Sequence, residues 1–229
     1  MIETLRRSAA HVFVQSLDAP SLSDDDQHHL LKVLRVKSTD QITLSDGVGK
    51  WITATITKDG EVRATSELYS VEPPKWSLCI AFAPIKGEKP ELIVQKLTEL
   101  GIDEIIPLAP TARSVVRWDT AKAEKQTGRL QRVANEAAMQ SRRVWLPVVQ
   151  PVTQLSDLVL RSDVAFAEPG GVEVSAVHRT IVVGPEGGFA PDELGDSVSR
   201  VSLGESVLRA ETAAIVAGAL MTRCRRGEM

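Results

Sequence analysis

The arrangement of apolar and polar positions predicts two kinds of structure, one on each side of Glu72-Pro73-Pro74-Lys75. On the amino-terminal side, Gln41 to Leu44 and Trp51 to Thr57 alternate apolar with polar residues around Asp46-Gly47, the pattern of two half-buried strands joined by a turn. Lys58-Asp59-Gly60 marks a further turn before a strand over Glu61 to Val71, and His11 to Gln15 supplies a short strand ahead of them. One helix interrupts the strands. Ser23 caps it, and Asp24, Asp25 and Asp26 place carboxylates at its positive end, with the helix running to Leu34. Together these elements predict a small β-rich domain over residues 1–72. Two consecutive prolines continue neither a central strand nor a helix, so the segment that contains them reads as a linker.

Beyond the linker, over residues 73–229, strand and helix patterns alternate. A strand at Ser77 to Ala83 is followed by a helix from Pro90 to Leu100, stopped by Gly101, and a strand from Glu104 to Leu108. A long polar helix covers Asp119 to Ser141. Strands at Asp163 to Ala167, Thr180 to Val183 and Arg200 to Leu203 follow, and the last helix runs from Val207 to about Arg223. Such alternation predicts an α/β domain with a mainly parallel sheet.

The stretch from Thr180 to Thr212 organises this second domain. Thr180, Ile181, Val182 and Val183 form an uninterrupted run, as a strand buried on both faces requires, and lead into Gly184-Pro185-Glu186-Gly187-Gly188 and a short helix signal, APDELG. Ligands of open α/β sheets bind outside the carboxyl ends of the strands, so this turn is the first candidate site. The second turn repeats the arrangement: Val201 to Leu203 enter Gly204, and Glu205 or Ser206 caps the helix from Val207. Neither turn is a phosphate cradle. Both lack a phosphate-binding glycine motif, and Glu186 puts a carboxylate where phosphate needs N–H donors or a lysine. A nucleoside triphosphate is therefore disfavoured.

The 229 residues carry a formal net charge of only -3, so any nucleic-acid contact must be a local patch. Two patches stand out. Residues 111–143 hold eight basic side chains against three acidic ones, and Arg113 and Arg117, just beyond a strand, are the strongest candidates for phosphate contact, with Arg142 at the far end. In the first domain His28, His29, Lys32, Arg35 and Lys37 lie on and after the short helix, and Arg6 and Arg7 add to the patch; an ordinary solvated surface is the competing reading of each patch. Cys79 and Cys224 give neither metal spacing nor a disulfide framework, so no metal is expected. No signal peptide or membrane-length apolar run is present, which predicts a cytoplasmic protein without a membrane partner.

VGPEGGF followed by LGESVLRAETA resembles the signature of the SPOUT-class RNA methyltransferases, in particular the family that methylates N(3) of a uridine in 16S ribosomal RNA. KGEKPELIVQKLTELGIDEIIPL, EAAMQSRRVWLP and the amino-terminal HHLLKVLRV extend the likeness over nearly the whole chain. The resemblance implies a PUA-like RNA-binding barrel followed by a SPOUT domain with a trefoil knot, working as a homodimer on 16S rRNA, either free or within the small ribosomal subunit. It also implies S-adenosylmethionine as cofactor, held by three loops: Ala167-Glu168-Pro169, Gly184 to Gly188, and Leu203 to Arg209, with Leu203, Gly204, Val207, Leu208 and Thr212 among the contacts. Arg209 is then the candidate for steadying charge on the uracil oxygens, and Glu211 for orienting it or acting as base. Arg6, Arg7, His29, Lys32, Arg35, Arg113, Arg117 and Arg142 are the RNA-contact candidates. The small residues of the last helix, Ala213 to Leu220, are expected either to face the second subunit or to be buried within one. A ribose 2′-oxygen methyltransferase of transfer RNA and a non-catalytic RNA-binding module are the competing readings.

Overall fold

A computed structural model describes residues 2–195 and 197–227. The chain forms two compact units: residues up to Pro74 together with Ala138–Leu146, and Lys75–Ala137 together with the chain from Pro147 onward.

The first unit contains α1 (Ile2–Arg7), β1 (His11–Phe13), α2 (Asp24–His28), β2 (Ile42–Ser45), β3 (Lys50–Ile56), β4 (Val62–Ala64) and β5 (Tyr69–Ser70). β1 runs parallel to β2, and β3 pairs antiparallel with β2, β4 and β5. The alternation of these strands buries Val12, Ile42, Leu44, Ile52, Ala54 and Ile56 in one core with Leu22, Leu30 and Val36. The single strand expected over Glu61 to Val71 is in fact two, because Ser66 Oγ, rather than a backbone carbonyl, takes the N–H of Thr53 and interrupts the ladder. The helix capped by Ser23, whose Oγ accepts from the Asp26 N–H at 3.1 Å, continues to Val33 but widens to a π-helix over His29–Val33.

Ala138–Leu146 belongs to this unit through specific bonds. His11 Nε2 donates to the Arg143 carbonyl at 2.9 Å, and Thr43 Oγ1 lies 2.8 Å from its Nδ1. The carbonyl can only accept, so the proton sits on Nε2 and Thr43 donates to Nδ1. Trp145 Nε1 donates to Val71 O at 3.1 Å, and a Cβ on Gly49 would fall 2.5 Å from the Trp145 ring.

In the second unit β6 (Cys79–Phe82), α3 (Lys89–Leu100), β7 (Glu104–Pro107), α4 (Thr120–Gln140), β8 (Val148–Val149), α5 (Leu155–Val159), β9 (Val164–Glu173), β10 (Thr180–Val183), β11 (Ser199–Ser202) and α6 (Ala210–Arg226) follow in order, the last residues of α4 passing into the first unit. The sheet is parallel throughout, in the order β11-β9-β10-β6-β7-β8. Alternate residues feed two cores. Ile80, Phe82, Ile181 and Val183 pack with α3 and α6, while Ala81, Ile106, Val182 and Phe166 pack with Leu158, Phe189 and Leu194. The uninterrupted apolar strand is thus covered on both faces, as the pattern requires.

Several elements differ from the sequence expectation. APDELG forms a turn rather than a helix, and α6 begins at Ala210, three residues after Val207. Its small residues Ala213, Ala214, Ala217 and Gly218 are buried within the chain: a Cβ on Gly218 would lie 2.7 Å from Leu97 of α3. That close approach is one that only small side chains permit, while Ile215, Val216, Ala219 and Leu220 of the same stretch stay partly exposed. α1, α5 and the two-residue β8 are too short to show a periodicity.

Candidate active site

Because the strands are parallel, their carboxyl ends lie together, and three loops meet there around a cavity of about 530 Å³. The first loop is an excursion within β9. β9 pairs with β11 through Ala165 and Phe166, then resumes at Val172, so Ala167, Glu168 and Pro169 leave the ladder and line the cavity. Gly171 closes the excursion; a Cβ there would stand 2.6 Å from the backbone of Arg200 and Val201. The second loop supplies Gly184, Pro185, Glu186, Gly188 and Phe189, and the third Leu203, Gly204, Ser206, Val207, Leu208 and Arg209. Of the expected cofactor contacts, only Gly187 and Thr212 do not line it. Gly187 faces Arg113 instead, and Thr212 lies exposed in the first turn of α6. Of the two neighbouring glycines, only Gly188 has positive φ, at 68°.

Val183, Phe189, Leu203, Leu208, Ala210 and Ala213 make the walls largely apolar. Phe189 is fixed by an edge-to-face contact with Phe166, with ring centroids 5.6 Å apart. The volume suits a small-molecule ligand, and the mixture of apolar walls, loop backbone and a few charges is that of a cofactor site. Charge is distributed as follows. Glu168 is bound by Arg200 Nε at 2.7 Å. Lys89, in the first turn of α3, stands 3.0 Å from Glu211 and 3.8 Å from Glu186. A hydrogen bond from its own backbone N–H at the start of α6, and then Lys89, hold the Glu211 carboxyl below its ordinary range, so it is ionised at neutral pH. Arg209, the residue before α6, lines the cavity, and among the described residues no carboxylate reaches ion-pair distance of it. Lys89 had no signal in the sequence, because the residues it joins come from segments about a hundred positions away.

Arg113 is exposed at the same cavity and donates through Nη1 to Gly187 O at 2.8 Å. Arg117 is exposed a few residues on. In the first unit Arg6, Arg7, His29, Lys32 and Arg35 are all exposed, Arg7 paired with Glu3 and Arg35 at φ 54°. Arg142 is different. Its guanidinium donates to Met139 O at 2.9 Å and Ser8 O at 3.1 Å, and its backbone is left-handed at φ 58°, so the side chain ties the chain to itself. Among the described residues there is no cluster of three or more His, Cys, Asp or Glu that could hold a metal ion, and no helix long and apolar enough to cross a membrane.

The family described as RNA methyltransferase domain matches residues 72–222, and the RNA methyltransferase PUA domain matches residues 22–68. Ribosomal RNA small subunit methyltransferase E of Mycobacterium bovis is 33% identical over 219 residues, covering 84% of this chain and 82% of that protein. A methyltransferase of Legionella pneumophila solved with bound SAM superposes with a TM-score of 0.79 at 28% identity, covering 94% of this chain and 97% of that one. Ribosomal RNA small subunit methyltransferase E of Neisseria gonorrhoeae, solved with S-adenosyl methionine, gives a TM-score of 0.78 at 27% identity over 93% and 97%.

Proposed function

This chain belongs to the ribosomal RNA small subunit methyltransferase E family, and from that premise we propose that it methylates N(3) of a uridine in 16S ribosomal RNA with S-adenosylmethionine as donor. The observation that carries the reading is the cavity itself. Three loops from separate strand ends converge on one largely apolar site, and the guanidinium of Arg209, which no carboxylate among the described residues reaches, stands in its wall.

The residues fit the donor. Gly188 and Gly204 leave open space where a Cβ would project, and Phe189, Leu203 and Leu208 offer apolar walls. Glu186 brings a carboxylate to a ligand that carries a sulfonium cation. When bound, S-adenosylmethionine supplies an electrophilic methyl group. The protein's part is to hold the uracil in line with it and to stabilise the negative charge that spreads over the flanking carbonyl oxygens as the N(3) proton leaves. Arg209 has the fixed charge and the position for that role. Glu211, ionised and bound to Lys89, is better suited to holding the helix start than to taking the proton.

Arg113 and Arg117 beside the pocket, and the exposed His29, Lys32, Arg35, Arg6 and Arg7 of the first unit, are the RNA contacts in this reading. A knotted carboxyl-terminal region, a homodimer, a cytoplasmic location and the small ribosomal subunit as context complete it. Nucleoside mass spectrometry of 16S rRNA and of transfer RNA from cells with and without the protein tests the enzymatic reading. Loss of 3-methyluridine supports it; loss of a ribose-methylated nucleoside of transfer RNA, or of none, overturns it.

A further inference from the structure

Two backbone segments share one carboxylate beside the cavity. Ala112 N–H donates to Glu193 Oε1 at 2.6 Å, and Ala190 N–H donates to Glu193 Oε2 at 2.7 Å. Ala112 belongs to the segment that follows β7, where the Thr111 N–H bonds Ser114 Oγ at 2.9 Å in a tight turn. Ala190 belongs to the loop that follows β10. A third bond runs beside these two, from Arg113 Nη1 to Gly187 O at 2.8 Å. The segment carrying Arg113 is therefore attached to the loop after β10 at two points, Arg113 to Gly187 and Ala112 to Glu193, while the second oxygen of Glu193 is held within that loop by Ala190.

The chemistry demands a carboxylate. Two converging N–H donors need two acceptor atoms, and bonds from N–H to an ionised acceptor are about twice as strong as neutral ones. Glutamine at this position offers one oxygen and turns its NH₂ toward the other donor. Aspartate is one methylene shorter and cannot span the two segments from the same backbone position. Arg113 lines the cavity from a segment that has no other hydrogen-bonded hold on the cofactor loop among the described residues than its own side chain and this carboxylate.

We propose that Glu193 is a positioning residue: it fixes Arg113 at the rim of the cofactor pocket and makes the order of residues 111–114 depend on the order of residues 184–190. This rests on the pocket being the S-adenosylmethionine site and on Arg113 facing the RNA. Filling the pocket steadies the cofactor loop, and Glu193 passes that steadiness to the Arg113 segment, so that the RNA-side cation is set once the donor is in place.

Amide hydrogen exchange with and without S-adenosylmethionine, joined to single-turnover methylation, tests the proposal in the full chain and in E193Q, R113A and the double variant. The Gly188 amide, bonded to Pro185 O at 2.8 Å within the cofactor loop, is the internal control. The expected result is that cofactor slows exchange at both Gly188 and Ala112 in the unaltered protein, but only at Gly188 in E193Q. E193Q and R113A each slow methylation by about tenfold, and the double variant is no slower than R113A alone, since residues acting as one unit are not additive. Cofactor protection of Ala112 that survives in E193Q, or rate losses that multiply, would overturn it. If the unaltered protein forms no methylated nucleoside, the functional reading falls, and exchange at Ala112 without cofactor still decides the link: about tenfold faster in E193Q supports it, and an unchanged rate removes it.

Discussion

Lys89, in the first turn of α3, reaches across to Glu211, in the first turn of α6, with Nζ and Oε1 3.0 Å apart. The pair joins the start of α6, which lines the cavity, to the start of α3, and it engages Oε1 of a carboxylate whose side chain is only 14% exposed. It also distinguishes two residues that lie close in sequence: Glu211 is engaged by a cation, while no carboxylate among the described residues reaches ion-pair distance of Arg209.

Replacing Lys89 by methionine leaves Glu211 without that partner. A loss of about 1–2 kcal/mol at neutral pH is expected, reduced from the value for a buried pair because the lysine is itself partly solvated. The folded carboxyl sits below its ordinary range, so its stabilisation is complete above that range and is lost as pH falls through the folded value. Urea unfolding of the two proteins should therefore converge on acidification. A gap that stays constant from neutral to acid pH would show that Lys89 acts through packing alone.

Arg209→Ala should lower single-turnover methylation by about 10²- to 10³-fold while changing cofactor and RNA affinity far less, because the charge it meets develops only in the transition state. Arg209→Lys should recover part of the loss, since a point charge lacks the planar fork. A normal rate at saturating cofactor and RNA would move the role to another residue.

Gly188→Val forces a branched side chain into φ 68°, at a cost of about 1–3 kcal/mol of local strain, and directs it into the open space of the pocket. Calorimetry should show S-adenosylmethionine binding lost or greatly weakened. At Gly187, where φ is ordinary and a new Cβ would meet the Arg113 side chain, nearest at Cβ 3.4 Å away, alanine should leave cofactor affinity nearly unchanged. Equal effects at the two positions would contradict the loop geometry.

His11 is buried, and burial lowers its pKa from 6.5 to about 4. The unfolded chain therefore takes up a proton that the folded one refuses, so stability is complete above about pH 6.5 and falls as pH drops toward 4, by about 3 kcal/mol in all. Protonation would also place a donor where Nδ1 now accepts from Thr43. Chemical unfolding across this window should show the slope, and His11→Gln should flatten it. An identical slope in the variant would assign the acid sensitivity to other groups.

A chain beginning at Lys75 should still bind S-adenosylmethionine, because every cavity residue lies beyond it, and should lose RNA affinity. It should also self-associate. Val144 and Trp145 would be deprived of Trp51, Val71 and the rest of the first unit's cover. Light scattering checks this, and replacing both residues with polar ones should restore a discrete species. RNA methylation at the full rate would exclude the first unit as the substrate-binding arm.

Local pattern carried the sequence reading a long way. Thr180 to Val183 is a strand at the expected bounds because a four-residue apolar run followed by Gly-Pro needs only its own residues to be recognised. Gly101, at φ 97°, ends α3 where expected, for the same local reason. The two motif turns likewise announced a site, and both line the cavity. What the tertiary structure alone decided depends on contacts between distant segments. The excursion of β9 exists because β11 pairs with both of its ends and skips the middle. The small residues of α6 are spent on Leu97 of α3, more than a hundred positions earlier, and periodicity could not tell that neighbour from a second subunit. α6 starts at Ala210 rather than Val207 because the two intervening residues, Leu208 and Arg209, like Val207 itself at 86% exposure, belong to the loop around the cavity. Ala138–Leu146 joins the rest of the amino-terminal unit through the carbonyls of Ser8 and Val71, met by Arg142 and Trp145, and through its own Arg143 carbonyl, met by the His11 ring. Backbone donors and acceptors carry no sequence signature, so only the folded chain shows which of them meet.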